Sequence, residues 1–76
     1  MTISEFKNYV SNLIGHVTFT YNDQSCGVDP LASDSFDMWF GENETTVDSI
    51  EKVLNTKFFN GQSLTDIWGD VTELNC

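Results

Sequence analysis

Val17-Thr18-Phe19-Thr20-Tyr21 and Ser35-Phe36-Asp37-Met38-Trp39-Phe40 are the stretches whose reading decides the fold. In the first, extended back to His16, Val17, Phe19 and Tyr21 share one face and His16, Thr18 and Thr20 the other. In the second, Phe36, Met38 and Phe40 point one way and Asp37 and Trp39 the other. A period of two with β-branched and aromatic residues predicts two half-buried strands, over 16–21 and 35–40. The expectation is that they pair antiparallel. Two strands alone are marginal, so a third is expected from the connecting loop or from the C-terminal tail.

The period changes on either side of these runs. Ile3, Phe6, Val10, Leu13 and Ile14 recur at spacings of three and four, which predicts a helix over 3–14. Thr2 followed by Glu5 fits a capping box, and Gly15 is a natural stop. Val47, Ile50, Val53 and Leu54 predict a second helix over 46–55, with Thr45 as N-cap and Asp48 in its first turn. Asn60-Gly61 signals a turn. Ser63 then caps a third helix carrying Leu64, Ile67, Trp68 and Val71, with Gly69 weakening its end. Between the strands, residues 22–34 read as a loop punctuated by Asn22-Asp23, Gly27 and Asp29-Pro30, with Val28 and Leu31 as points that pin it to the core. Residues 72–76 continue the last helix or form a short strand. The expected class is therefore α+β, in the order α-β-β-α-α. Its helices cover one face of a short antiparallel sheet, and residues 1–76 form a single compact domain. A chain of 76 residues buries only about 60–65% of the surface it exposes when unfolded, so its ten aromatic residues carry much of the core.

Charge is the strongest functional signal. Twelve carboxylates face three lysines, arginine is absent, and the formal net charge is −9. No lysine lies between Lys7 and Lys52, whereas Asp23, Asp29, Asp34, Asp37, Glu42, Glu44, Asp48 and Glu51 all do. Charges within roughly 8–10 Å of one another act together at ordinary salt. Such a surface repels nucleic acid and anionic lipid and attracts a basic protein surface.

The residues offer little to catalysis or metal binding. Asp34/Asp37 and Asp48/Glu51 are close in sequence, but the pattern puts both pairs in solvent. His16, the lone histidine, meets a nucleophile only if the loop brings Cys26 beside the first strand. One His and two distant Cys fall short of a zinc set. Asp23, Asp29, Asp34 and Asp37 are oxygen donors without the spacing of a calcium loop. Neither a P-loop nor a G-x-G-x-x-G motif is present. The expectation is no enzyme, no cofactor and no metal.

What remains is the acidic surface itself. Asp34, Asp37, Glu42, Glu44, Asp48 and Glu51 are the expected partner-binding carboxylates, with Trp39 as an outward anchor among them. The bland reading of the acids is solubility, and that of Trp39 is cover from another element. In size and charge the chain resembles small phage-borne inhibitors such as the acidic anti-CRISPR proteins and other DNA mimics. The likeness is one of composition and length. It implies an inhibitor of phage or mobile-element origin that fills a basic groove on a partner, such as a nucleic-acid-binding enzyme. The alternative is a structural or regulatory module that contacts a partner or a second copy through Trp39, Met38 or Phe58-Phe59. With two cysteines far apart, no secretory leader pattern and no apolar run of about 18 residues, the expected setting is cytoplasmic.

Overall fold

The computed structural model describes residues 1–76. Its elements run α1 (Ile3–Ser11), β1 (Val17–Tyr21), β2 (Gln24–Ala32), β3 (Ser35–Phe40), β4 (Asn43–Val47), α2 (Ile50–Asn55), α3 (Leu64–Ile67), a 3-10 turn (Trp68–Asp70) and β5 (Thr72–Asn75). The class is α+β, as expected, but the element order is not. Five strands form one antiparallel sheet in the order β4-β3-β2-β1-β5.

The largest correction concerns residues 22–34. They are not a loop: Asn22-Asp23 is a two-residue hairpin turn, and β2 follows at once, pairing Tyr21 with Gln24 and Val17 with Val28. Both turn residues have positive φ, 53° and 59°, the geometry that matches the twist of the flanking strands. β2 therefore takes the place beside β1 that β3 was expected to fill. β3 pairs instead with β2 and β4. Pro30 is tolerated inside β2 because the pairing with β1 ends at Val28, so no ladder bond is needed on that side. The register slips between Pro30 and Ala32. Leu31 sits at this irregularity and is exposed rather than pinned to the core.

The second helix is also shorter than its apolar stripe implies. Residues 43–47 are β4, joined to β3 by Gly41-Glu42 with Gly41 at φ +61°. Thr45 and Thr46 are β-branched and fit the pleat better than a helix. The N-cap is Ser49, whose Oγ accepts from the Lys52 N–H at 3.2 Å. α1 carries the expected capping box between Thr2 and Glu5, but it ends at Ser11, before Leu13 with φ 58°. α3 has a capping box between Ser63 and Asp66 and passes into the 3-10 turn at Trp68. The tail forms β5 on the far side of β1.

The alternating strand residues converge as their period predicts. Val17 and Phe19 of β1, Cys26 and Val28 of β2, and Phe36 and Met38 of β3 join Phe6 and Val10 of α1 in one buried cluster. Val53 and Leu54 of α2, Phe59, and Leu64 and Ile67 of α3 complete it. Full burial of a phenylalanine such as Phe6, Phe36 or Phe59 is worth about 1.5–3 kcal/mol. Trp68 closes one end: its ring centroid lies 5.0 Å from that of Phe6, and its Nε1–H donates to the Met1 carbonyl at 3.1 Å.

Candidate partner-binding interface

The strand residues that do not enter the core form a second set. They are Thr18 and Thr20, then Ser25, Gly27 and Asp29, then Asp37 and Trp39, then Glu44 and Thr46. Register pairs Thr20 with Ser25 and aligns the others in two longer rows across the strands. Thr18, Gly27, Trp39 and Glu44 make one; Asp29, Asp37 and Thr46 make the other. Rows two residues apart are separated by roughly 6.5–7 Å, and directly opposed Cβ atoms by about 4.5–5.5 Å.

Trp39 is half-buried, and its cover comes from the neighbouring strand β2, within the segment that reads as a loop in the sequence. The indole lies across Gly27, where an added Cβ would fall 2.2 Å from Trp39 Cζ2. Only glycine leaves room for the ring at this height. The ring is thus seated on the sheet, with Glu44 beside it and the Asp29-Asp37 row next along.

The carboxylates are set against one another. Asp29 and Asp37 are direct cross-strand partners. Asp37, within hydrogen-bonding reach of Glu44, pushes the Glu44 carboxyl above the usual glutamate range, through that bond and through its charge. Like charges directly opposed across a sheet destabilise it. No lysine offsets them, because none lies in any of the five strands.

All three lysines are engaged elsewhere. Lys7 Nζ is 3.2 Å from Glu51, Lys52 Nζ 3.0 Å from Asp48, and Lys57 Nζ 2.9 Å from Asp66. Lys52 holds the Asp48 carboxyl below its ordinary value. Lys57, with the Ser63 N–H, brings Asp66 down to about 2. Glu5 is lowered by the Thr2 N–H of its capping box.

The expected row of carboxylates therefore divides. Asp37, Trp39 and Glu44 come together. Asp34 and Glu42 lie in successive hairpin turns, at opposite ends of the sheet. Asp48 and Glu51 sit at α2 and are paired with lysines. Asp29 and Gly27 belong to the surface but were outside the expected set, since Asp29-Pro30 reads as loop. Their signal was the alternation with Cys26 and Val28. Glu73 is a further addition: the Thr20 hydroxyl donates to it at 3.2 Å from β1.

Other chemistry finds no such assembly. Cys26 is buried, and desolvation raises its thiol pKa, the opposite of what a nucleophile needs. His16 is exposed ahead of β1. No three His, Cys, Asp or Glu side chains converge to hold a metal ion, and the surface holds no pocket. No helix is long and apolar enough to cross a membrane. Met38 and Phe59 are fully buried, so of the residues expected to make an apolar contact only Trp39 and Phe58 remain, both half-buried. Comparison of the chain with known protein families, curated proteins and solved structures returned no match.

Proposed function

We propose that the protein is a non-catalytic binding module whose acidic sheet surface docks on a basic surface of another protein, in the manner of an inhibitor that occupies a nucleic-acid-binding groove. This reading takes the helices to cover one face of the sheet and leaves the Trp39 face open. The observation that carries it is the division of charge. Every lysine pairs with an acid outside the strands, while Asp29, Asp37 and Glu44 stand together around Trp39 without a cation. Solubility alone requires no opposed carboxylates, and folding is weakened by them. A local rule broken without gain to stability marks a surface kept for recognition.

Trp39 supplies the apolar part. An aromatic ring flanked by carboxylates accepts a lysine or arginine through its face and its rim together. The two free cysteines, one buried, fit a reducing compartment, and the proposal places the protein in the cytoplasm.

The test is equilibrium binding to basic, nucleic-acid-binding proteins over a salt series from roughly 0.05 to 0.5 M. The expected result is steep weakening with salt and competition by the partner's own nucleic acid. Replacing Asp37, Glu42 and Glu44 by Asn or Gln should weaken binding, mainly through the two strand positions. Affinity indifferent to salt would exclude the reading.

A further inference from the structure

The two edges of the sheet differ. β5 is guarded: its pairing with β1 slips between Thr18 and Thr20, and Glu73 there takes a left-handed φ of 54°. Such a bulge twists an edge away from new partners. β4 has no such device. Its five residues, Asn43-Glu44-Thr45-Thr46-Val47, pair with β3 in unbroken register and include neither proline nor lysine.

Register also shows which groups β4 leaves free. Phe40 and Asn43 close the two-residue turn and are a hydrogen-bonded pair. Alternation then makes Met38–Thr45 and Phe36–Val47 bonded pairs, and Trp39–Glu44 and Asp37–Thr46 non-bonded ones. The N–H and C=O of Glu44 and of Thr46 therefore face the open edge, where no turn, loop or cap bond reaches them. Both residues are exposed.

We infer that the β4 edge is a strand-addition site for an extended, lysine- or arginine-bearing segment of a partner protein. The inference rests on the binding role proposed above and deepens it. An added strand would satisfy the four free backbone groups of Glu44 and Thr46. Its side chains opposite Glu44 and Thr46 would stand on the Trp39 face, within reach of Glu44 and Asp37. A cation there relieves the repulsion that raises the Glu44 pKa. A second copy of this chain is disfavoured, because β4 pairing with itself would bring both Glu44-Asp37 pairs onto one face between two chains of charge −9.

The test is residue-resolved amide exchange on the whole protein, with and without a short synthetic peptide alternating lysine with valine, and the same peptide with glutamate for lysine as control. In the free protein the amides of Glu44 and Thr46 should exchange fast and that of Thr45 slowly. The lysine peptide should slow Glu44 and Thr46 by roughly tenfold or more and leave Thr45 little changed. Thr46→Pro removes no bond to β3, so the variant should fold and lose the peptide. Peptide binding that shifts the Trp39 indole signal without protecting Glu44 and Thr46 would overturn the edge site and leave the face reading standing. Absence of peptide binding, or protection that rises with protein concentration alone, would also overturn it; the face reading is tested separately by the salt series with folded partners.

Discussion

Carboxylates on the helices and carboxylates on the sheet have opposite surroundings. At the helices, Glu5, Asp48 and Asp66 each meet a backbone donor or a lysine, and each is easier to ionise than it would be free. On the sheet, Asp29, Asp37 and Glu44 meet one another, and Glu44 is harder to ionise. The first arrangement supports the fold through caps and ion pairs. The second works against it. The contrast separates acids that hold the molecule together from acids that are left to act outward.

The largest expected effect on this contrast comes from the seat of Trp39. Gly27→Ala should destabilise by about 1–3 kcal/mol, since the new methyl must displace the indole. Unfolding curves measure the loss, and a changed Trp39 signal in the folded variant would show that the ring has left its place. An unaltered Trp39 environment would mean that the ring is not fixed over Gly27, and the docking face would lose its anchor.

Next comes the sign of charge removal. Asp37→Asn should raise the melting temperature by about 1–5 °C, because it removes repulsion from both Asp29 and Glu44. Asp66→Asn should lower it, because it breaks the Lys57 pair and weakens the capping box. Shifts of the same sign would erase the contrast.

The smallest effect is in the pH dependence. The folded pKa of Glu44 lies above the ordinary glutamate value, so between the two the folded state holds more protons than the unfolded state. The Glu44 contribution thus falls as pH rises through its folded pKa and is least favourable at neutral pH. Asp66 behaves oppositely: its contribution is present above the ordinary aspartate range and is lost as pH falls towards about 2. Glu44→Gln should remove the first slope and leave the second, as measured by melting temperature against pH.

Much of the fold was legible where period and caps agreed. Val17-Thr18-Phe19 and Phe36-Asp37-Met38 alternate strongly enough to give both the strands and their buried faces. Thr2 with Glu5, and Ser63 before Leu64, marked two helix starts. β2 was hidden because its alternation is carried by Cys26 and Val28 against Ser25 and Gly27, small residues with weak contrast, and because Pro30 reads as a breaker when its overhang past β1 is unknown. β4 was hidden because Val47 fits an inward strand position and a helical stripe equally well. The acidic surface was legible in composition but not in place. Sequence order put Asp48 and Glu51 beside Glu44, whereas the turn from β4 into α2 carries them to Lys52 and Lys7.

The account's central claim is that the place of the negative charge, not its amount, makes the binding surface. Two triple variants test it most directly, since each removes three charges: Asp29→Asn/Asp37→Asn/Glu44→Gln on the sheet, and Asp48→Asn/Glu51→Gln/Asp66→Asn at the helices. Affinity for one basic partner, measured on both at the same salt, should fall roughly tenfold or more for the sheet variant and stay within about threefold for the helix variant. Equal losses in the two would contradict the claim.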